Sequence, residues 1–204
     1  TREEIVRVLD RAAEMKGDRA AGRQTSRVLA GKHVALLFEK PSLRTRCTFT
    51  IAVRELGGDV VEPPASVALG GRETVEDVAH NLERWVAACG VRTFGQDGLV
   101  RLANASRRMS VINALTDEEH PCQILTDIFT YEEKRGSIQG KVVTFIGDAA
   151  CNVPASWIYA AAKLGFELRL AAPKKFQPSI HVPGANIIVT EDLMKAASGS
   201  DLLY

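Results

Sequence analysis

Between residues 38 and 49 the chain reads FEKPSLRTRCTF, and four of its side chains could do chemistry together. Ser42, Arg44, Thr45 and Arg46 bring two hydroxyls and two guanidinium groups to a turn, marked by Pro41, that opens a helix. A helix N-terminus already offers unpaired N–H groups and the positive end of the helix dipole, so it attracts anions. Ser42 is a natural N-cap there. Guanidinium forks match the spacing of phosphate oxygens. The pattern predicts a bound phosphate, held also by the free N–H groups of the turn. Arginines two residues apart diverge on a helix, so one of the two should point at the ligand. The competing reading is a capped helix whose arginines make surface salt bridges. The buried strand before the turn and the flanking hydroxyls favour the phosphate.

Other candidates are less specific taken singly. Arg92 lies in an apolar stretch, VRTF, and could be a paired structural residue or part of a site. In HPCQ, His120 precedes a proline suited to the first helical position. His120 could cap that helix or polarise a carbonyl, and Gln123, one turn on, could hold an amide-like group. GDAACN (147 to 152) has one glycine only, a poor dinucleotide fingerprint, and reads equally as a strand-to-helix turn capped by Asp148 or Asn152. His33, His80 and His181 are most simply structural or surface residues. The four cysteines, Cys47, Cys89, Cys122 and Cys151, show no CxxC pairing and no histidine at metal-ligand spacing. Reduced thiols are expected, with two disulfides as the alternative.

The elements that must position these groups follow from periodicity. Thr1 and Glu4 form a capping-box pair for a helix with Ile5, Leu9 and Ala12 on one face. HVALLF (33 to 38) reads as a buried strand. A helix over 44 to 56, on Phe49, Ala52, Val53 and Leu56, should stop at Gly57-Gly58. A strand at DVVE (59 to 62) and a helix over 73 to 88 on Val75, Val78, Leu82, Trp85 and Val86 come next. Further strands are expected at 91 to 94, 110 to 115, 141 to 148, 167 to 172, 186 to 190 and 202 to 204. Helices should cover 98 to 105, the segment from Pro121 with Ile124, Leu125, Ile128 and Phe129, and 153 to 164. No crossover helix is visible in KKFQPSIHVPGAN. Strand–helix alternation with continuously apolar strands means parallel sheets covered on both faces. The fold class is α/β: two doubly wound parallel-sheet domains, 1–135 and 136–204, the second incomplete. Ligands in such sheets bind beyond the carboxyl ends of the strands. The four candidate segments fall at those ends.

The 204 residues carry a formal net charge of +1, from 26 basic and 25 acidic side chains, which gives no field for nucleic acid or an anionic membrane. No apolar run is long enough to cross a bilayer, and no signal peptide pattern is present, so a cytoplasmic protein is expected.

Taken together the segments resemble the aspartate/ornithine carbamoyltransferase family. FEKPSLRTR is similar to the family's F-E-K-P-S-T-R-T-R, and HPCQ to its H-P-x-Q. LGGRETVEDVAHNLERWV resembles L-G-x-R-E-S-x-x-D-x-A-x-x-L-x-R, and GDAACNV resembles G-D-x-x-N-N-V. The lysine of Glu39-Lys40-Pro41 is the ornithine-side form. The resemblance implies transfer of the carbamoyl group of carbamoyl phosphate to the side-chain amine of L-ornithine, giving citrulline and phosphate in arginine biosynthesis, by a homotrimer. It implies no cofactor and no metal. It assigns carbamoyl phosphate to Ser42, Leu43, Arg44, Thr45, Arg92, His120 and Gln123, with Arg92 and His120 catalytic, and ornithine to Asn152. Leu43 replaces the usual threonine, Cys151 the first of the paired asparagines, and Ala68 a glutamine that some relatives send to a neighbouring subunit. The ornithine-binding D-x-x-x-S-M-G and H-C-L-P segments are not in this chain. A sister enzyme for putrescine or an acylated ornithine, a non-catalytic phosphate-binding module and a Rossmann dehydrogenase are the alternatives.

Overall fold

The computed structural model describes all residues except 24–25, 65–68 and 70. The expectation for Ala68 lies outside the described residues. The chain folds as two compact units, Ala12–Asp117 and Thr1–Arg11 with Glu118–Tyr204.

In the first unit four parallel strands, β1 (His33–Phe38), β2 (Asp59–Val61), β3 (Ala88–Arg92) and β4 (Ser110–Leu115), lie in the order β2-β1-β3-β4. Helices α2 (Leu43–Glu55), α3 (Val75–Leu82) and α4 (Gln96–Ala105) connect them. Strand β1 is buried along all but its first residue because both faces are covered. Ala35 and Leu37 meet Val75, Val78, Leu82, Leu99 and Leu102 of α3 and α4, while Val34, Leu36 and Phe38 meet Val53 and Phe49 of α2. A period of two thus sorts one apolar run onto two helix layers. Helix α2 ends as expected: Gly58 N–H donates to Val53 O and Gly57 N–H to Arg54 O, with Gly57 at φ +85, the Schellman pattern.

Two expected elements move. The helix expected over 73 to 88 is only α3, Val75–Leu82, capped by Thr74, whose hydroxyl accepts from Asp77 N–H. Trp85 and Val86 both donate to Leu82 O, closing a turn that leaves Trp85 65% exposed rather than on the core face. The reason is the next strand. It starts at Ala88, earlier than the expected 91, because the small residues Ala88, Cys89 and Gly90 hide a central strand that the sheet nonetheless needs. A Cβ at Gly90 would lie 3.1 Å from Leu36 Cδ2 and 3.2 Å from Phe49 Cε1, so the bare backbone lets α2 sit close to the sheet.

In the second unit β5 (Val142–Ile146), β6 (Glu167–Ala171), β7 (Asn186–Thr190) and β8 (Leu202–Leu203) form a parallel sheet in the order β7-β6-β5-β8. Helices α5 (Pro121–Arg135) and α6 (Asn152–Leu164) supply one core with Leu9 of α1 (Arg2–Ala20). Its centre is Trp157, Ile158, Ile124, Ile128, Leu168 and Leu170. The short α7 (Leu193–Ala197) is held by polar contacts: Thr144 Oγ1 donates to Ala196 O and Arg169 Nη1 to Ala196 O and Ser198 O. Between β6 and β7 there is only a 3₁₀ turn, Lys174–Phe176, as KKFQPSIHVPGAN led one to expect. No helix among the described residues is long and apolar enough to cross a membrane.

Candidate functional site

In the first sheet β1 is followed on one side by β2 and on the other by β3, so the strand order reverses between β1 and β3. That is the switch point at which open α/β sheets leave a crevice. The phosphate turn leaves β1 there, and Arg92 ends β3 directly beside it, paired in register with Phe38. Backbone bonds stitch the rim: Glu39 N–H donates to Arg92 O, Thr93 N–H to Leu115 O and Asp117 N–H to Phe94 O.

Ser42 occupies the N-cap of α2 with extended backbone, and its Oγ accepts from Thr45 N–H at 3.3 Å. Because that oxygen accepts, its own proton is available to donate outward. Leu43 and Arg44 head the helix, and their N–H groups have no intrahelical acceptor. The Leu43 side chain is 81% exposed, so what this position offers a ligand is its N–H, and replacing threonine costs the turn little.

The two arginines of the turn separate as the helical spacing requires. Arg46 is occupied: Nε lies 3.3 Å from Glu62 Oε2 and the guanidinium stacks 5.4 Å from the Phe38 ring centroid. No carboxylate among the described residues pairs with Arg44. Instead Arg44 stands near enough to Arg92 to depress its pKa, the larger cause being burial of Arg92 itself. Arg92 Nε is buried without a hydrogen-bond partner. Between Val91 and Arg92 the β3–β4 register slips by one residue, and such bulges re-aim side chains. Two cations that repel one another, one with an unsatisfied buried donor, beside a helix N-terminus define a place for a multiply charged oxyanion. Nearby charged groups have partners of their own. Glu39 accepts from the Thr93 hydroxyl, and Lys40 pairs with Asp117 while lying 4.5 Å from the Phe94 ring centroid.

The other predicted residues lie in the second unit. His120 is the N-cap residue of α5, with Pro121 at the first helical position, but its imidazole makes no capping bond, so the capping reading falls away. Its backbone N–H donates to Ser156 Oγ of α6 at 2.7 Å, which fixes the turn. Gln123 Nε2 donates to Asp127 Oδ1 at 3.0 Å. The second sheet has its own switch point, between β5 and β8, and the turn after β5 leads there into α6. Asn152 is the first residue of α6, so it stands at that crevice. It is not the cap, and neither is Asp148: Cys151 holds the cap position without a side-chain capping bond, while Asp148 Oδ1 accepts from Ala150 N–H inside the turn. The first unit thus gathers Ser42, Leu43, Arg44, Thr45 and Arg92, and the second holds His120, Gln123 and Asn152. Sequence reasoning passed over Lys40, Asp117 and Asp127 as parts of these surroundings. The spacing of four between Gln123 and Asp127 was the available signal for the last of them.

All four cysteines are free. Cys89 is buried and Cys122 half-buried, and burial pushes both thiols up, that of Cys89 to about 12. Among the described residues no group of three or more His, Cys, Asp or Glu could hold a metal ion.

Fold and crevice together define a two-unit parallel α/β protein whose first unit presents a helix N-terminus and two guanidinium groups at its switch point. Models for the aspartate/ornithine carbamoyltransferase carbamoyl-P binding domain and Asp/Orn binding domain match residues 1–133 and 139–204. The chain belongs to the aspartate/ornithine carbamoyltransferase family. It is 43% identical, over its whole length, to the ornithine carbamoyltransferase of Desulfotalea psychrophila, and 41% identical over 98% of its length to that of Clavibacter michiganensis. It covers 69% and 67% of those two proteins, about two thirds of each. The ornithine carbamoyltransferase structure from Burkholderia thailandensis superposes with a TM-score of 0.93 at 38% identity, covering all of this chain and 71% of that one. A Trypanosoma cruzi aspartate transcarbamoylase in complex with aspartate and phosphate gives a TM-score of 0.85 at 26% identity, with coverages of 100% and 69%.

Proposed function

We propose that the intact protein transfers the carbamoyl group of carbamoyl phosphate to the side-chain amine of L-ornithine, yielding citrulline and phosphate. The carrying observation is the pair Arg44 and Arg92, two cations at a helix N-terminus with no carboxylate ion pair among the described residues. Such a place suits a dianion that leaves as a dianion. Ser42, the N–H groups at Leu43 and Arg44, and Thr45 grip the phosphate. Arg92 and His120 polarise the carbamoyl oxygen, and Gln123 holds the carbamoyl nitrogen. Asn152 takes the amino-acid end of ornithine. The neutral amine attacks the carbonyl carbon, charge grows on the oxygen beside the donors of Arg92 and His120, and the C–O bond to phosphate breaks as the nitrogen passes its proton to the departing phosphate, which leaves as the hydrogen phosphate dianion. In functional terms residues 1–135 serve carbamoyl phosphate and 136–204 begin the amine-binding part. The ornithine names of relatives above 40% identity support ornithine as acceptor, as does Lys40 in Glu39-Lys40-Pro41. The family likeness also supports a homotrimer working in the cytoplasm, on arginine biosynthesis.

The test is product formation by the intact protein with carbamoyl phosphate and either ornithine or putrescine. Citrulline from ornithine, with no carbamoylputrescine, is expected; the reverse would assign a sister enzyme. A second reading, a phosphate-binding module without catalysis, predicts equal affinity for carbamoyl phosphate and inorganic phosphate and no turnover of either amine.

A further inference from the structure

Gln123 and Asp127 are one helical turn apart on α5, and the amide nitrogen of the first donates to a carboxylate oxygen of the second at 3.0 Å. Helical side chains lean toward the N-terminus, so Asp127 reaches back to Gln123, and Gln123 reaches toward the His120 end of the helix. An ionised carboxylate can only accept hydrogen bonds. The Gln123 amide therefore has one stable setting, with Nε2 toward Asp127. A flipped amide would bring two acceptor oxygens together.

We infer that Asp127 is a positioning residue: it locks the Gln123 amide so that Oε1, an acceptor, is what Gln123 offers to substrate. This rests on the reading of Gln123 as the residue that holds the carbamoyl group. The chemistry matches. The nitrogen of a carbamoyl group is a donor only, its lone pair being delocalised into the carbonyl, and it needs an acceptor. The proposed function gives the carbonyl oxygen to Arg92 and His120, which leaves the nitrogen for Gln123. With the amide locked, the site tells NH2 from an isosteric methyl by a hydrogen bond that the methyl cannot make.

The surroundings of Asp127 agree with a role other than stability. The carboxylate is half-buried, and burial raises its pKa, while hydrogen bonds from Gln123 and Tyr204 work against that rise. Its Oδ2 is buried without a direct hydrogen bond of normal geometry. A half-buried carboxylate with an under-satisfied oxygen is a poor choice for holding a helix in place, where an apolar side chain would serve better.

The experiment compares the affinities of the intact protein for carbamoyl phosphate, acetyl phosphate and inorganic phosphate. Acetyl phosphate replaces the NH2 with CH3 and keeps the rest. Asp127→Leu should lower the preference for carbamoyl over acetyl phosphate by about three- to tenfold, the value of one hydrogen bond, while leaving inorganic phosphate affinity as it was. Asp127→Asn, whose Oδ1 can still accept, should keep the preference. In a Gln123→Ala background, which itself lowers the preference, Asp127→Leu should lower it no further. Should Asp127→Leu not fold, Asp127→Ala carries the same comparison. An unchanged preference in Asp127→Leu alongside a lowered one in Gln123→Ala overturns the inference alone. An unchanged preference in Gln123→Ala overturns the reading of Gln123 beneath it. Equal losses for all three ligands show Asp127 to be merely structural.

Discussion

Arg44 and Arg46 sit two residues apart and have different partners. Arg46 is tied to Glu62 and stacked near Phe38, while Arg44 stands near Arg92 with no carboxylate partner among the described residues. A guanidinium already engaged on the surface adds little to binding an incoming anion, whereas one without an anionic partner makes a charge-assisted bond with its phosphate oxygens. Arg44→Ala should therefore weaken carbamoyl phosphate binding by about 1.5 to 3 kcal/mol, and Arg46→Ala by clearly less. Calorimetric titration of both variants checks the ranking, and the opposite order would mean that the wrong arginine has been assigned to the ligand.

Helix α2 carries the phosphate turn at one end and a Schellman stop at the other, and the sheet holds it in between through Phe49. Gly90 favours this close seat, because a methyl group there would crowd Leu36 and Phe49 at 3.1 and 3.2 Å. Gly90→Ala should push these side chains apart, costing about 1 to 3 kcal/mol of stability as overpacking does. It should also loosen carbamoyl phosphate binding, because the N-terminus of α2 moves with the helix. Thermal unfolding and ligand titration of the variant measure the two effects. A variant as stable and as tight-binding as the parent would show that α2 is positioned by something else.

Across the molecule, one buried group links stability to pH in a way that can be isolated. Cys89 lies in the centre of the first sheet, fully buried, and burial alone raises its thiol from 9.0 to about 12. A raised folded pKa means that the stability this thiol contributes is complete below the unfolded value and drains away as pH climbs toward the folded one. Between pH 9 and 12 this one thiol should cost the folded state about 1.4 kcal/mol per pH unit. Cys89→Ala should lack that part of the alkaline decline, so the two melting curves against pH should converge as pH rises. Parallel curves would show that Cys89 ionises as readily in the folded chain as in the unfolded one.

What the sequence determined by itself was whatever depends on neighbours within a helical turn or along one strand. Strand–helix alternation gave the parallel α/β class, Ser42 gave the cap, and Gly57-Gly58 gave the helix stop. The candidate anion turn could be picked out because its parts are contiguous. The tertiary structure decided what depends on residues far apart in the chain. Only the strand orders β2-β1-β3-β4 and β7-β6-β5-β8 locate the two switch points. Glu62 removed Arg46 from contention, and the pairing of β1 with β3 brought the end of a distant strand, Arg92, beside the turn that carries Arg44. The small residues Ala88 to Gly90 hid the first half of a strand expected only from 91, and through them Trp85 was placed wrongly on the core face, since intrinsic propensity yields to the sheet that needs filling. Local chemistry is written in order along the chain, while pairing across a sheet is settled only when distant segments compete for the same buried surface.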